Sequence, residues 1–145
     1  MPQAGEVYHY PAYRFPDGDQ DDKFVVLLGQ IPGGDWILGR TTSRQHGRPT
    51  VPPCNQASGY PSFYIGPLQG VFPRPTWIAL DRFDDHDQVD LETKITCGEV
   101  TLIGNLPLPV LCAVLACARG ADDTTQLQAN AMSDVRAILG CDSSA

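Results

Sequence analysis

The stretch KFVVLLGQIPGGDWILGRTTS, residues 23–43, decides the fold. Its first part, KFVVLLG (23–29), is a short, continuous apolar run that ends in glycine, which is typical of a buried central strand. IPGGD (31–35) predicts a turn, and WILGRTTS (36–43) predicts a strand that pairs with the first. We therefore expect an antiparallel meander at the centre of the protein.

Further short strands are predicted on both sides of this meander. They are GEVYHYPAYRF (5–15), SFYIG (62–66), TWIALDRF (76–83) and TKITCGEV (93–100). The acidic runs PDGDQDD (16–22) and DDHDQVD (84–90) predict exposed turns, and residues 49–61 predict a loop. Five or six short strands suit a small barrel rather than a flat, open sheet.

The sequence becomes helical after Pro109, beyond which there is no proline. PLPVLCAVLACARG (107–120) predicts one helix, with Pro107 or Pro109 near its first turn and Gly120 just past its end. A second helix is predicted from about Thr124 to Gly140. Its candidate caps are Asp122, Asp123 and Thr124, and its candidate apolar face consists of Leu127, Ala131, Val135, Ile138 and Leu139. The expected fold is mainly β: one domain of 145 residues, with a small barrel (1–106) followed by two C-terminal helices (107–140).

Composition and charge limit the classes of function that the protein can have. Hydrophobic content of 42% and charged content of 19% are values of a globular chain. The longest apolar stretch, residues 106–118, is too short to span a bilayer, and the N-terminus lacks a secretory pattern, so we expect a cytoplasmic location. A formal net charge of −7 argues against tight, sequence-independent binding to duplex nucleic acid.

The five cysteines are an odd number without CxxC spacing. Cys112 and Cys117 lie in an alanine-rich apolar segment, which predicts reduced thiols packed as small hydrophobes. Zinc would require paired ligands at short spacing, and the acidic run at 84–90 lacks the spacing of a calcium loop. We therefore expect neither a metal nor a cofactor.

The segment GRTTSRQHGRP (39–49) gathers three of the ten basic residues beside three hydroxyls, with no acid among them. The guanidinium groups of Arg40 and Arg44 can form bidentate hydrogen bonds to phosphate oxygens. The hydroxyls of Thr42 and Ser43 can hold a further oxygen, and the imidazole of His46 can move a proton. The segment predicts a phosphate-handling site; the alternative is an ordinary polar turn.

A second candidate group, Asp81 with Arg82, follows the run TWIAL. The Asp81 carboxylate can act as a proton acceptor beside Arg82, or the two can form a surface ion pair worth little. The motifs of P-loop ATPases, Rossmann oxidoreductases, α/β-hydrolases and zincins are not present in the sequence.

The order of these features resembles the PemK/MazF family of toxin endoribonucleases over roughly residues 5–118. The matching pieces are GEVY (5–8), PDGDQDD (16–22), KFVVLL (23–28), RTTS (40–43), TWIALD (76–81) and GEVTLIGNL (98–106). The resemblance implies an SH3-like barrel that forms a homodimer, and metal-independent cleavage of single-stranded RNA by the ribose 2′-OH. It also implies an antitoxin protein that neutralises the enzyme.

Site residues follow from the same resemblance. Lys23 takes the place of the family's arginine before the central strand. Thr42 and Ser43 match its threonine-serine pair, Asp81 matches its later acid, and Arg82 is the nearest candidate for the arginine near that acid. The chain departs from the pattern at Lys23-Phe24, where the family has arginine and proline, and in a longer excursion at residues 48–75.

A non-catalytic SH3-like binding module, or a degenerate family member that only binds a protein or nucleic-acid partner, is the alternative. Four aromatic residues of the excursion favour a binding surface: Tyr60, Phe63, Tyr64 and Phe72. The same rings can instead fill the core or anchor the loop. Their burial distinguishes these interpretations.

Overall fold

The computed structural model describes residues 2–14, 20–56 and 59–141. The strands are β1 (Glu6–Arg14), β2 (Gln20–Gln30), β3 (Trp36–Thr42), β4 (Cys54–Asn55), β5 (Ser62–Tyr64), β6 (Trp77–Ala79), β7 (Asp84–His86) and β8 (Thr101–Asn105). The helices are α1 (Gln88–Thr96), α2 (Leu108–Ala118) and α3 (Gln126–Leu139). The mainly β class and the two C-terminal helices are confirmed. Of the acidic loop at 16–22, residues 16–19 lie outside the described residues, and β2 begins at Gln20.

The strands form one antiparallel sheet in the order β4-β5-β6-β3-β2-β1-β8, with β7 also paired to β3. The central meander is confirmed, because Val26 of β2 lies opposite Val7 of β1 on one side and Gly39 of β3 on the other. The sheet is not closed, so the barrel that we expected is not confirmed. Within the described residues, the end strand β4 has only two residues and pairs only with β5.

Strand β2 is buried on both faces, which explains its continuous apolar run. Val26 and Leu28 belong to a hydrophobic cluster that includes residues of α2 and α3. Val25 and Leu27 belong to a second cluster, to which α1 contributes Leu91. The helices therefore cover both faces of the central strands and fix β2 and β3 at the middle of the protein.

The strand predicted at residues 93–100 is wrong, because residues 93–96 belong to helix α1 and residues 97–100 form a turn and bends. The Asp87 side chain caps this helix by accepting a hydrogen bond from the backbone N–H of Asp90 at 2.8 Å. Leu91 then packs into the second cluster, and this tertiary contact outweighs the β-propensity of Ile95 and its neighbours. The acidic run at 84–90 is therefore strand β7 and a helix start rather than a solvated turn.

The helix boundaries near the C-terminus are largely as expected. Pro107 precedes α2, and Gly140 ends α3 in the left-handed conformation. The cap of α3 is Thr125, which exchanges hydrogen bonds with Gln128, rather than one of the three residues before it.

The predicted apolar face of α3 is confirmed at two of its five positions and wrong at three. Ala131 is buried and Val135 packs against the core, whereas Leu127, Ile138 and Leu139 are exposed. Gln128, Met132 and Arg136, which the prediction did not include, are buried. The Gln128 amide donates a hydrogen bond of 2.9 Å to the Asp85 carboxylate of β7. The buried Gln128 side chain therefore faces β7, and hydrophobic spacing alone does not reveal this orientation of the helix.

The prediction of reduced core cysteines is also wrong. Cys54 of β4 is bonded to Cys117 of α2, and Cys112 of α2 is bonded to Cys141 just after α3. Their Cα atoms are 5.7 and 5.6 Å apart, although the paired residues are 63 and 29 positions apart in sequence. Such pairs are formed by the fold and cannot be deduced from spacing. Cys97 is a free, exposed thiol.

Among residues 2–14, 20–56 and 59–141, no helix is long and apolar enough to cross a membrane, and no group of three or more histidine, cysteine, aspartate or glutamate side chains is arranged to hold a metal ion.

Candidate functional site

The end of β3 lies beside the start of β6 because the two strands pair antiparallel. Thr42 is opposite Trp77, and Thr41 is opposite Ile78. Gly39 allows this close approach: a Cβ at that position would lie 3.2 Å from a methyl group of Ile78. The residues of β3 are thereby placed next to the chain that follows β6, which carries Asp81.

A cavity of about 220 Å³ opens at this junction; we call it the central cavity. Six of the eight predicted site residues line it: Lys23, Arg40, Thr42, Arg44, His46 and Asp81. Arg48 lines it as well. The two segments that the sequence singled out therefore meet.

The segment after β3 is held by its own hydrogen bonds. The Thr42 hydroxyl accepts from the backbone N–H of Arg44 at 3.1 Å, and the Arg48 guanidinium donates to the Arg44 carbonyl at 2.6 Å. His46 adopts a left-handed φ of 46°, which is uncommon for a residue other than glycine. Its ring centroid lies 5.8 Å from that of Tyr60, and the Arg48 guanidinium lies 4.9 Å above the same ring.

A second cavity, of about 540 Å³, adjoins the first; we call it the aromatic cavity. Lys23, Thr42 and Arg44 line both cavities. Ser43, predicted beside Thr42 in the catalytic group, lines the aromatic cavity and not the central one. Phe24 contributes an aromatic ring to its wall.

A third cavity, of about 290 Å³, lies on the other side; we call it the arginine cavity. Arg14, Arg40 and Arg82 line it, together with Tyr13 and Asp84. Arg40 belongs to both the central and the arginine cavity. Arg82, predicted to bind substrate near Asp81, therefore lies one cavity away from the other predicted residues, although its carbonyl accepts a hydrogen bond from Arg40 at 3.3 Å.

Positive charge is concentrated along these three cavities, which we call the cationic track. Seven of the ten basic residues line it, against four carboxylates. The basic residues are Arg14, Lys23, Arg40, Arg44, Arg48, Arg74 and Arg82. The track thus has a formal charge of +3 on a chain whose total is −7.

The pKa of Lys23 is lowered, chiefly by burial and to a smaller extent by this crowding of cations. Burial lowers the pKa of Lys23, the Asp21 carboxylate raises it, and the guanidinium groups of Arg40, Arg44 and Arg48 lower it further, so that the net direction is downward. Like charges held together in this way favour the binding of an anion.

Most aromatic rings of the proline-rich excursion have a structural role. Phe63 and Phe72 are buried, and Tyr64 is half-buried with its ring 5.1 Å from that of Trp77. Tyr60 is 51% exposed and packs beside His46 and Arg48. Exposed rings were the main feature that favoured a separate binding surface, and two of the four rings are buried while a third is half-buried. The fourth, Tyr60, lies next to the candidate site.

Three of the seven basic residues of the track, Arg14, Arg48 and Arg74, were not assigned to the site from sequence, and neither was Phe24. Arg48 could have been included, because it ends the quoted segment 39–49. The others come from β1, β2 and the excursion, and no local motif marks them.

The site combines guanidinium groups, hydroxyls, an imidazole and a carboxylate around one small cavity. These groups can bind a phosphate, remove a proton and donate a proton. No protein-family model, curated protein or solved structure matches the chain.

Proposed function

We propose that the protein is an endoribonuclease that cleaves single-stranded RNA without a metal ion. The observation that carries the proposal is the cationic track, where an acidic chain gathers seven of its ten basic residues around a carboxylate and an imidazole. A field reversed in this way attracts a polyanion despite the net charge of the protein.

The proposed reaction is an internal transfer at one phosphodiester. A base takes the proton of the ribose 2′-OH, and the 2′-oxygen attacks the adjacent phosphorus. The bond from phosphorus to the 5′-oxygen breaks, and an acid gives that oxygen a proton. The products are a 2′,3′-cyclic phosphate and a 5′-hydroxyl. Charge on the phosphorane is stabilised by cations placed before the reaction begins.

We assign the base to Asp81 and the acid to His46, because both line the central cavity. Arg40 donates a hydrogen bond of 3.2 Å to the Asp81 carboxylate and fixes its position. Arg44 and Lys23 reach the same cavity, where they would contact phosphate oxygens. We assign Thr42 a positioning role, because its hydroxyl accepts a hydrogen bond from the backbone N–H of Arg44 and so holds the segment that carries Arg44.

RNA is favoured over DNA by this reaction because only RNA carries the nucleophile. A single strand is favoured over a duplex because a groove of cations beside exposed rings suits a flexible backbone with unstacked bases. Phe24 lines the aromatic cavity and is partly exposed, and the exposed ring of Tyr60 packs beside His46 and Arg48 of the central cavity.

The resemblance to the PemK/MazF toxins suggests the partners and the place of action. We propose that the protein forms a homodimer, acts in the cytoplasm and is neutralised by an antitoxin. An acidic segment of the antitoxin would complement the charge of the cationic track. Disulfides are rare in that compartment. The six predicted residues of the central cavity come from β2, β3 and the segments after β3 and β6, which carry no bonded cysteine, so reduction breaks no covalent bond within the site.

The test is cleavage of mixed single-stranded RNA in EDTA by wild type, Arg44→Ala and Asp81→Ala. Each substitution should lower the rate by roughly 10²–10⁴-fold, as expected for general acid-base groups and charge stabilisation. Arg119→Ala, a cation outside the three cavities, is the matched control and should cleave like wild type. Equal cleavage by all four proteins would attribute the activity to a contaminant. Binding of RNA by wild type with no cleavage would leave the alternative, a non-catalytic binding module.

A further inference from the structure

We infer that the aromatic cavity binds one nucleobase next to the scissile phosphate, with the Phe24 ring as its stacking surface. The inference rests on the proposed function, because it assumes that RNA follows the cationic track. It adds a base subsite and a base preference to that function.

Phe24 differs from the apolar residues that follow it in β2. The four residues that follow it, Val25 to Leu28, are completely buried, whereas Phe24 is 37% exposed. Its ring lies on the wall of the aromatic cavity, so the exposed part is available inside a concave site. An exposed aromatic ring beside cations is the arrangement on which bases stack in proteins that bind single strands.

Two neighbouring rings fix the orientation of Phe24. The Phe72 ring meets it edge-on, with centroids 6.2 Å apart and planes at 79°, and the His9 ring lies 5.2 Å away. The His9 ring is itself hydrogen-bonded to the Asp22 carboxylate. A ring held in this way loses little freedom when a base stacks on it, which lowers the cost of binding.

The size and position of the cavity fit one nucleotide unit. Its volume of about 540 Å³ is within the range of small-molecule sites. Thr42 and Arg44 line both the aromatic and the central cavity. A phosphate held by Arg44 therefore leaves one of its two flanking bases next to Phe24.

The polar groups of the cavity give a base preference. The carboxylates of Asp21 and Asp22 line it, and carboxylates repel phosphate but accept hydrogen bonds from the amino groups of bases. The hydroxyls of Thr42 and Ser43 lie on the same lining. We therefore expect adenine, cytosine or guanine in the subsite, in preference to uracil, which has no exocyclic amino group.

The first test measures binding of a short RNA that cannot be cleaved, because it carries a 2′-deoxy sugar at the scissile position. Phe24→Leu keeps an apolar side chain but removes the flat ring, and it should raise the dissociation constant by roughly 5- to 100-fold. Phe24→Trp should bind like wild type or more tightly. Leu102→Ala, which changes an exposed apolar residue of β8 outside the track, is the control and should have no effect.

The second test removes the base instead of the ring. With an abasic sugar on the correct side of the phosphate, wild type and Phe24→Leu should bind equally, because the ring then has nothing to stack on. Comparison of abasic sugars on the two sides identifies the flanking base that occupies the cavity. An equal effect of Phe24→Leu with and without both bases would overturn the inference.

The third test concerns the preference of the aromatic cavity for one base over another. Wild type should bind oligonucleotides with adenine, cytosine or guanine at this position more tightly than one with uracil, and Asp21→Asn should reduce the difference. Equal affinity for all four bases in wild type would overturn the stated preference. These readouts use an uncleavable strand, so they stay separate from the nuclease proposal, which fails on its own if the matching all-ribose strand is bound but never cut.

Discussion

The Arg40 guanidinium lies 3.2 Å from the Asp81 carboxylate and joins two segments that are 41 residues apart in the chain. Only 18% of the Arg40 side chain is exposed, against 57% of the Asp81 side chain. An ion pair with one partner so open to water contributes little to stability. The contact is therefore better explained as a positioning device, which holds a carboxylate at the central cavity and links that cavity to the arginine cavity.

Replacement of Arg40 by lysine tests this role. Lysine keeps the charge but loses the planar fork, which donates both to Asp81 and to the carbonyl of Arg82. We expect the free energy of unfolding to change by less than about 1 kcal/mol, while RNA cleavage falls by at least roughly 10-fold. Urea unfolding and initial cleavage rates measure the two quantities. A large loss of stability with unchanged cleavage per folded molecule would show that the pair is structural.

The salt dependence of RNA binding counts the phosphate contacts of the track. For single strands, the logarithm of the binding constant falls with the logarithm of salt concentration by about 0.7 per phosphate neutralised. Removal of one contact in Arg44→Gln should therefore reduce the steepness of this slope by about 0.7. Fluorescence anisotropy between about 50 and 200 mM salt measures it, and Arg119→Gln should keep the wild-type slope.

Much of the sheet was predictable from sequence because its signals are local. The burial of β2 on both faces gives an unbroken apolar run, and the turn at 31–35 gives the meander. The cluster of Arg40, Thr42 and Arg44 was visible as a short motif, and its meeting with Asp81 follows from the pairing of β3 with β6.

The remaining features depend on contacts between residues that are distant in sequence. Gln128 of α3 donates a hydrogen bond to Asp85 of β7, so this side of the helix is packed against the sheet although the sequence does not mark it as apolar. Cys54 lies next to Cys117 because β4 and α2 are in contact in the fold, although 63 positions separate the two cysteines in sequence. Phe24 and Arg74 become site residues through a cavity formed by separate segments, and no period or motif in the sequence encodes that proximity.

A histidine outside the track predicts a pH dependence of stability. His86 lies between two carboxylates: its Nε2 is 2.8 Å from Asp90, and its Nδ1 is 3.8 Å from Asp84. Burial alone lowers the pKa of His86, but Asp84 and Asp90 outweigh burial and raise it above 6.5. The Tyr10 hydroxyl, 3.5 Å from Nε2, and Lys94, 2.6 Å from Asp90, complete the surroundings.

Because the folded state holds the proton of His86 more tightly than the unfolded state, its contribution is fully present below about pH 6.5 and is lost as the pH rises through the raised pKa. We expect the free energy of unfolding to fall as the pH rises above about 6.5 in wild type and to change less in His86→Gln. Urea titrations at several pH values measure this difference. Parallel pH profiles would show that His86 does not gain a proton on folding.

The disulfides predict the reactivity of the cysteines and the effect of reduction. In denaturant without reductant, a thiol-alkylating reagent should label Cys97 alone, and after reduction it should label all five cysteines. Intact mass gives the counts. Loss of the bond between Cys54 and Cys117, which spans 63 positions, should lower stability by roughly 4 kcal/mol. Five labels without reductant would contradict the pairing.

The most direct test of the nuclease proposal is identification of the RNA ends left by purified protein in EDTA. Wild type should give fragments with a 2′,3′-cyclic phosphate and a 5′-hydroxyl, a single 2′-deoxy substitution should block cleavage at that linkage alone, and Asp81→Asn should give almost no product. Fragments with 5′-phosphate ends, cleavage of the fully deoxy strand, or full activity in Asp81→Asn would contradict a carboxylate-assisted attack by the 2′-oxygen.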